Sequence, residues 1–329
     1  MNLKRLPAFV AVSLAFVFGS CNKKTNPSKP GIKSAQVPFS SLKPAATFLI
    51  GETADWVLVT NDSIWAAGTK PFSVVRIDPA TNKFIARIPI SGEACSGLTA
   101  GFGSLWVPVC GEPSSLVQID LFTNKITATL PIGPAAPEGG IAASADSIWM
   151  VTSKTGMLAR IDPTSGKVRQ QVSIPAGSDN PIYSDGTIWV TGVDANILTA
   201  IDSASGNVLA SIPVGSKPRF LASGDGAIWT LNQGDGTLSR VNIGTRKLEA
   251  TVALGTPGLG GDIAYGSNSL WTTVFDLPLT QIDPRSNAVL HQWVGSGGDS
   301  LRVGFDSIWL TDYHKGLLLR IPIPETEKH

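Results

Sequence analysis

Short runs of apolar and β-branched residues alternate with Gly, Asn and Asp along almost the whole chain. The segment 224–255 shows the unit, with apolar runs around Trp229, over 238–243 and over 248–254. Each run has five to seven residues between turn residues, which is the pattern of a strand. No segment keeps apolar residues at a 3.6-residue spacing over eleven positions, so the pattern excludes a helical protein.

This unit occurs seven times. Its anchor is a Trp that follows Ile or Leu, and the anchors are Trp65, Trp106, Trp149, Trp189, Trp229, Trp271 and Trp309. An Ile-Asp or Val-Asn pair follows about twelve residues later in most units, and a third run often ends in Pro-Val-Gly or Pro-Ile-Gly. Four strands in about 40 residues, repeated in this way, predict the blades of a β-propeller. A β-sandwich would not repeat one Trp-centred unit seven times.

The seventh unit lacks its last strand, because it stops after 317–324. Residues 45–51, near the other end of the chain, have the matching pattern. We therefore predict an all-β fold over 45–329, a seven-bladed propeller of four-stranded blades. The N-terminal strand completes the last blade, closes the ring and leaves few exposed edges.

Residues 1–20 have the pattern of a secretory signal, with a basic start at Lys4 and Arg5 and an apolar run over 6–18. The residues before Cys21 resemble the lipobox of bacterial lipoproteins, although Phe18 replaces the usual Leu. The resemblance implies cleavage before Cys21 and its lipidation. The alternative is an ordinary signal with an incidental Cys. We expect an envelope lipoprotein, periplasmic or anchored to the outer membrane.

Residues 21–44 are predicted to be a flexible, basic tether, since they contain five lysines, no acid and little that could be buried. The propeller from residue 45 has 19 basic and 25 acidic residues. A basic tether suits anionic lipid, whereas a mildly acidic propeller argues against a nucleic-acid partner. We expect a monomer that contacts the membrane through its lipid.

Cys95 and Cys110 are predicted to form a disulfide, because the signal directs the chain to an oxidising compartment. The hairpin of the second unit centres on residues 102–103, and this register places the two cysteines directly opposite each other. The alternative is a pair of buried free thiols. A bond here would stiffen the loops that carry Glu93 and Glu112.

The repeated Trp and Asp residues are interpreted as structural. A Trp in the same strand of every blade packs against the next blade, with its N–H on a local acceptor. The Asp of Ile-Asp precedes Pro-Ala-Thr-Asn or Pro-Thr-Ser-Gly, which is ordinary turn chemistry.

The candidate binding residues lie in the loops between blades and between the second and third strands, which open on one face. Their polar residues are Asp55, Glu93, Glu138, Asp179, Arg219, Asp262, Asp299 and Arg302 on one side and Lys70, Glu112, Lys154, Asp194, Asn232, Asp276, Asp312, Tyr313 and His314 on the other. Eleven of them form the predicted rim site: Asp55, Glu93, Glu112, Asp179, Arg219, Asn232, Asp299, Arg302, Asp312, Tyr313 and His314. The alternative is a set of solvated loops.

No established catalytic motif occurs in the sequence, and we predict no catalytic residue. The three histidines, His291, His314 and His329, lie in a strand, in the rim and at the terminus, so they cannot converge on one metal. We expect no cofactor; a divalent cation belongs to the enzymatic alternative.

The repeats GDGAIWTLNQGDGTLSRVN and DSIWMVTSKTGMLARIDPTSGKV resemble the YVTN-type seven-bladed propellers of bacterial surfaces. They are also similar to the repeats of streptogramin B lyases, which linearise a cyclic depsipeptide with magnesium and use His and Glu in loops of the later blades. The corresponding segments 260–263 and 271–274 contain neither residue. The favoured interpretation is therefore a propeller that binds a ligand or an envelope protein on its loop face. The alternatives are a lyase-like or other propeller enzyme that uses a divalent cation, and a structural scaffold of the envelope.

Overall fold

The computed structural model describes residues 31–258, 260–275 and 277–324, which form a ring of seven antiparallel sheets. The N-terminal segment contains the 3-10 helices Lys33–Ala35 and Phe39–Ser41 and the strands β1 (Gln36–Pro38) and β2 (Ala46–Leu49). A third 3-10 helix, Tyr313–Lys315, lies in blade seven. None of the helices in the described residues is long and apolar enough to cross a membrane.

Each blade is an up-and-down sheet whose strands follow one another in the chain. The strands of blades one to three are β3 (Thr53–Val59), β4 (Ile64–Thr69), β5 (Ser73–Asp78), β6 (Lys83–Pro89), β7 (Glu93–Ala94), β8 (Thr99–Gly101), β9 (Ser104–Cys110), β10 (Ser115–Asp120), β11 (Ile126–Leu130), β12 (Ile141–Ala143), β13 (Ile148–Ser153), β14 (Met157–Ile161) and β15 (Val168–Ser173). In blade two the innermost strand is split into β7 and β8, which both pair with β9.

Blades four to seven follow the same order. Their strands are β16 (Ser178–Ser184), β17 (Thr187–Gly192), β18 (Ile197–Asp202), β19 (Val208–Pro213), β20 (Pro218–Gly224), β21 (Ala227–Asn232), β22 (Thr237–Asn242), β23 (Leu248–Ala253), β24 (Asp262–Gly266), β25 (Ser269–Val274), β26 (Leu277–Asp283), β27 (Ala288–Val294), β28 (Leu301–Gly304), β29 (Ser307–Asp312) and β30 (Leu317–Pro322). The predicted fold class is confirmed.

The N-terminal strand closes the ring. β2 pairs antiparallel with β30, with Phe48 opposite Leu318, and so supplies the fourth strand of blade seven. Phe48 is buried against Trp309 at a ring-centroid distance of 6.0 Å. Pairing of the two ends of the chain within one sheet converts two open edges into backbone hydrogen bonds.

Residues 31–44 differ from the expected flexible tether. β1 pairs in parallel with β27, so blade six has a fifth strand, and Gly31 N donates to Gly255 O at 2.9 Å. Val37, Phe39 and Leu42 pack on a buried cluster of blades six and seven. The composition of the segment is polar, but these three apolar residues find a hydrophobic surface that only the folded ring provides.

The seven anchor Trp side chains are fully buried, as predicted. Five of their indole N–H groups donate to a local acceptor five residues earlier, such as Trp229 Nε1 to Gly224 O at 3.2 Å. The Nε1 atoms of Trp65 and Trp189 have no partner among the described residues. Their burial supplies the apolar contacts between blades.

Arginines on four of the third strands connect neighbouring blades. Arg76, Arg160, Arg240 and Arg320 each lie over the anchor Trp of their own blade, with distances of 5.1–5.4 Å to the ring centroid. Each also donates to a backbone carbonyl of the next blade; Arg76 Nη1 donates to Leu121 O at 2.6 Å. We call these four residues the arginine clasps. The clasp Arg320 joins blade seven to blade one, because its guanidinium group donates to Pro79 O.

Cys95 and Cys110 form the predicted disulfide, with their Cα atoms 5.7 Å apart. The predicted register is wrong. Cys110 lies opposite Glu93, because the chain leaves the sheet between β7 and β8 and the pairing shifts by two residues there. The disulfide therefore runs diagonally across the hairpin. It joins Cys95, in the segment between β7 and β8, to Cys110 at the end of β9.

Candidate functional site

The central channel opens on two faces. The loop face carries the loops between blades and between the second and third strands, and the turn face carries the remaining tight turns. Inside the channel Trp56 and Phe220 meet at a ring-centroid distance of 6.3 Å and are both buried. These apolar side chains separate a cavity at the loop face from a cavity at the turn face.

The loop face holds a cavity of about 370 Å³, which we call the mouth cavity. Its lining residues come from loops of blades three, five, six and seven: Glu138, Arg219, Gln233, Gly260, Phe275, Asp299, Tyr313 and His314. The opening on the turn face has about 360 Å³ and is lined mainly by aliphatic side chains with Tyr183 and Tyr265. The mouth cavity combines acidic, basic and aromatic side chains, whereas the turn-face opening adds Arg302 to its tyrosines and has no acidic residue among the described residues of its lining.

Two carboxyl groups meet at the inner side of the mouth cavity. Asp55 at the start of blade one is 8% exposed, and Asp299 before β28 is 6% exposed. Burial, the adjacent Asp299 carboxyl and the Glu138 charge hold the pKa of Asp55 well above its ordinary value. Burial and Glu138 raise the pKa of Asp299 to about 7. Like charges this close cannot both ionise, so the two groups share a proton near neutral pH.

Further acidic groups surround this pair. Burial raises the pKa of Glu138, with Arg219 acting in the opposite direction. Burial and the charges of Asp55 and Glu93 raise the pKa of Tyr313. The negative potential therefore extends from the buried pair to the aromatic side of the mouth cavity.

Two arginines are already engaged by other carboxylates. Arg219 Nη1 lies 2.6 Å from Asp179 Oδ2, and Arg302 pairs with buried Asp262. Burial raises the pKa of Asp179 to about 7 although Arg219 opposes the shift. The Asp262 carboxylate also accepts hydrogen bonds from Ser300 Oγ at 2.9 Å and from Leu301 N at 3.2 Å. In the part of the chain that the structure describes, no Lys or Arg side chain forms an ion pair with Asp55 or Asp299.

Backbone contacts hold the cavity wall in place. Glu138 N donates to Cys95 O at 2.8 Å, and Asn180 Nδ2 donates to Glu138 O at 3.0 Å. Gln233 Nε2 donates to Gly260 O at 3.0 Å. The disulfide thus supports the loop of the next blade that carries Glu138, rather than the rim of its own blade alone.

The predicted rim residues divide into two groups. Arg219, Asp299, Tyr313 and His314 line the mouth cavity, and Asp55, Glu93 and Asp179 lie around it through the contacts above. Arg302 pairs with Asp262 and lines the inner channel and the turn-face opening instead. Three others do not join them. Glu112 is exposed in a turn, Asn232 is buried in blade five against Thr237 and Ser239, and Asp312 pairs with Lys315 at 2.7 Å. Asp276 lies outside the described residues.

The eleven-residue set omitted four lining residues. Glu138 belongs to the longer set of loop residues, while Gln233, Gly260 and Phe275 do not. Phe275 packs on His314 at a centroid distance of 5.6 Å, and Tyr313 meets His314 at 5.3 Å. A Phe directly after a predicted strand was the available signal, because loop residues of this type are rarely needed for turn formation.

The magnesium ion implied by the lyase resemblance does not fit the residues that are present. No three His, Cys, Asp or Glu side chains converge to hold a metal anywhere in the described ranges. We therefore derive no step through such an ion.

The fold, but not the sequence, is similar to that of known proteins. No family model matches the chain, and no curated protein matches it. A solved structure of streptogramin B lyase superposes with a TM-score of 0.71 at 14% identity, over 85% of this chain and 96% of that chain. BamB from Moraxella catarrhalis superposes with a TM-score of 0.63 at 10% identity, over 86% and 100%. At these identities the likeness shows a shared propeller fold alone.

Proposed function

We propose that this protein is a lipid-anchored propeller of the bacterial envelope that binds a small ligand in the mouth cavity and does no chemistry on it. The observation that carries the proposal is the mouth cavity itself. It has the volume typical of a ligand site, and polar groups converge on it from four blades. A channel opening without such a role would not need to bury carboxyl groups at a cost in stability.

The rigidity of the walls supports binding by a preformed site. Glu138 is held through its N–H and C=O, and Gly260 through its carbonyl, by partners on neighbouring blades. A site that is already ordered loses less conformational entropy on binding. This argues for a fixed pocket and against a surface that becomes ordered around a large partner.

Anchoring rests on the sequence before residue 31. If Cys21 carries the lipid, residues 22–30 are the connection to Gly31, because 31–44 contain β1 and pack on blade six. Extended chain spans about 3.3–3.6 Å per residue, which limits the reach to roughly 35 Å. Gly31 contacts Gly255 in a loop between blades five and six, so the tether holds the edge of the loop face near the membrane.

The enzymatic alternative has one specific point in its favour, the fold shared with streptogramin B lyase. The buried carboxyl pair can transfer a proton, but no cluster of three metal-binding side chains accompanies it in the described residues. A scaffold in the envelope, the other alternative, would explain the ring but not the cavity. We therefore place ligand binding first.

Ligand binding is tested by a thermal-shift and NMR fragment screen of the purified full-length protein, using neutral, anionic and cationic fragments. Tyr313→Ala removes part of the cavity wall, and Tyr183→Ala makes the same change at the opening on the turn face. We expect fragments to bind the wild type and Tyr183→Ala, and to lose binding in Tyr313→Ala. Equal binding by both variants would contradict the proposal.

Two further measurements separate the alternatives. Cys21→Ser should leave the membrane fraction after a carbonate wash; if it stays, the anchor lies elsewhere. Magnesium-dependent cleavage of streptogramin B above background, detected by chromatography and abolished by EDTA, would put the enzymatic alternative first.

A further inference from the structure

We propose that the mouth cavity selects a ligand that carries a protonated amine on a flat apolar group, an inference that rests on the ligand-binding role proposed above. The ammonium group would lie against Glu138 and the Asp55–Asp299 pair. The apolar group would lie against the aromatic wall formed by Phe275, Tyr313 and His314. The argument combines charge, burial and shape.

The charges around the cavity do not balance. Arg219 is paired with Asp179, Arg302 with Asp262, and Lys315 with Asp312. Four carboxyl groups remain: Asp55, Glu93, Glu138 and Asp299. Within the described ranges, none of the four has a Lys, Arg or His within ion-pair distance. A cationic guest would supply the charge that the protein omits.

Burial of these carboxyl groups raises the free energy of their charged forms. Asp55 and Asp299 are both more than nine-tenths buried, and they contact each other carboxyl to carboxyl. Among the residues that the structure describes, the one other hydrogen bond to the two carboxyl groups is from Gly261 N to Asp299 Oδ1 at 3.3 Å. An ammonium group has three donors and can replace the shared proton, so that both carboxylates ionise against it.

The other wall of the cavity is aromatic. The Phe275 and His314 rings are tilted by 32° with centroids 5.6 Å apart, and Tyr313 meets His314 edge-on. Aromatic faces attract cations and pack against flat apolar groups. Because a bare inorganic cation would not need this wall, the combination favours an organic amine.

A second observation comes from the channel behind the cavity. Trp56, next to Asp55 in β3, is 3% exposed, and its Nε1 has no hydrogen-bond partner among the described residues. Its ring lines a small cavity of about 50 Å³ together with Asp262 and Arg302. A water in this small cavity would supply the acceptor that this buried donor needs.

The test uses three indole probes of nearly equal shape and different charge. Tryptamine is cationic, tryptophol is neutral and indole-3-acetate is anionic. Isothermal titration of the purified full-length protein near neutral pH compares their affinities. We expect tryptamine to bind at least tenfold more tightly than tryptophol, and indole-3-acetate to bind most weakly.

Matched variants assign the effect to the carboxyl groups. Asp299→Asn keeps the acceptor for Gly261 N, and Glu138→Gln keeps the shape of its side chain; each should weaken tryptamine binding about tenfold and leave tryptophol unchanged. Asp306→Asn removes one exposed carboxylate from the turn face and is the control for net charge. Melting curves confirm that each variant is folded.

The outcomes separate this inference from the proposed function. If tryptamine and tryptophol bind equally and Tyr313→Ala abolishes both, the cavity binds ligands without selecting amines. Tighter binding of indole-3-acetate would show that Arg219 selects an anion instead. The inference would be overturned if none of the three probes binds at millimolar concentration. It would also be overturned if magnesium chloride binds and the probes do not.

Discussion

Carboxyl groups on the two faces of the ring have opposite electrostatics. On the turn face, Asp162 accepts from the N–H groups of Thr164 and Ser165, each at 2.8 Å, and from Arg169; these hydrogen bonds lower its pKa to about 2. On the loop face, burial and Glu138 raise the pKa of Asp299 to about 7. An aspartate that accepts several hydrogen bonds is stabilised in its charged form and stabilises the turn. An aspartate that is buried without such donors is destabilised in its charged form, and a bound cation would stabilise it.

The difference shows which end of a blade can hold function. Aspartates at the end of most third strands accept hydrogen bonds from the following turn, as Asp78 does from Ala80 N at 2.8 Å. Most of their hydrogen bonds come from residues two or three positions later in the same turn. Asp55 and Asp299 on the loop face accept no hydrogen bond from a following turn among the described residues, so they remain available to a ligand.

The largest expected effect concerns an arginine clasp, whose groups are fully satisfied. Arg76→Met removes the bonds to Leu121 O, Ser63 Oγ and Asp62, together with the contact on Trp65. Leaving these acceptors unpaired should cost about 3 kcal/mol of unfolding free energy in urea denaturation. Lys83→Met, an exposed change in the same blade, should be neutral. Equal stability of both variants would contradict the role of the clasp.

Asp299→Asn should stabilise the folded protein at neutral and alkaline pH, whereas Arg76→Met should destabilise it. The native pKa of about 7 lies above the ordinary 3.8, so the folded protein retains a proton that the unfolded chain releases. Stability is therefore lost as the pH rises from about 4 to about 7. The variant should be more stable than the wild type above pH 7, by on the order of 2 kcal/mol. Denaturation at a series of pH values tests this; a decline of stability over that range that is unchanged in the variant would refute it.

The paired carboxyls should also be coupled. Once Asp299→Asn has removed one charge, Asp55→Asn should add less stability above pH 7 than it does alone. A double-mutant cycle should give a coupling energy of about 1 kcal/mol, since neighbouring groups are not additive. Strict additivity would mean that the two groups do not share a proton.

The smallest effect is expected for a turn carboxylate. The lowered pKa of Asp162 contributes stability that is present above pH 4 and lost as the pH falls towards 2. Asp162→Asn should flatten the acid limb of the stability curve slightly and leave the alkaline limb unchanged. A change on the alkaline limb would show that the two faces are not electrically independent.

The predictability of the site differs from residue to residue. Asp299, Tyr313 and His314 are loop residues of unusual type and could be chosen from the sequence. Asn232 has the same polar character, but its side chain satisfies Thr237 and Ser239 within blade five. Phe275 gives only a weak signal in the sequence, its position directly after a strand, because its contact with His314 depends on how blades six and seven pack.

The sequence by itself determined the seven blades, the closing strand and the turn role of the Ile-Asp pairs, because each depends on local pattern and repeats along the chain. The tertiary structure decided what depends on distance between blades. It paired β1 with blade six, shifted the register at Cys95, and brought Asp55 of blade one to Asp299 before blade seven. Those two residues are 244 positions apart. Only ring closure determines that two carboxyls so distant in the chain meet.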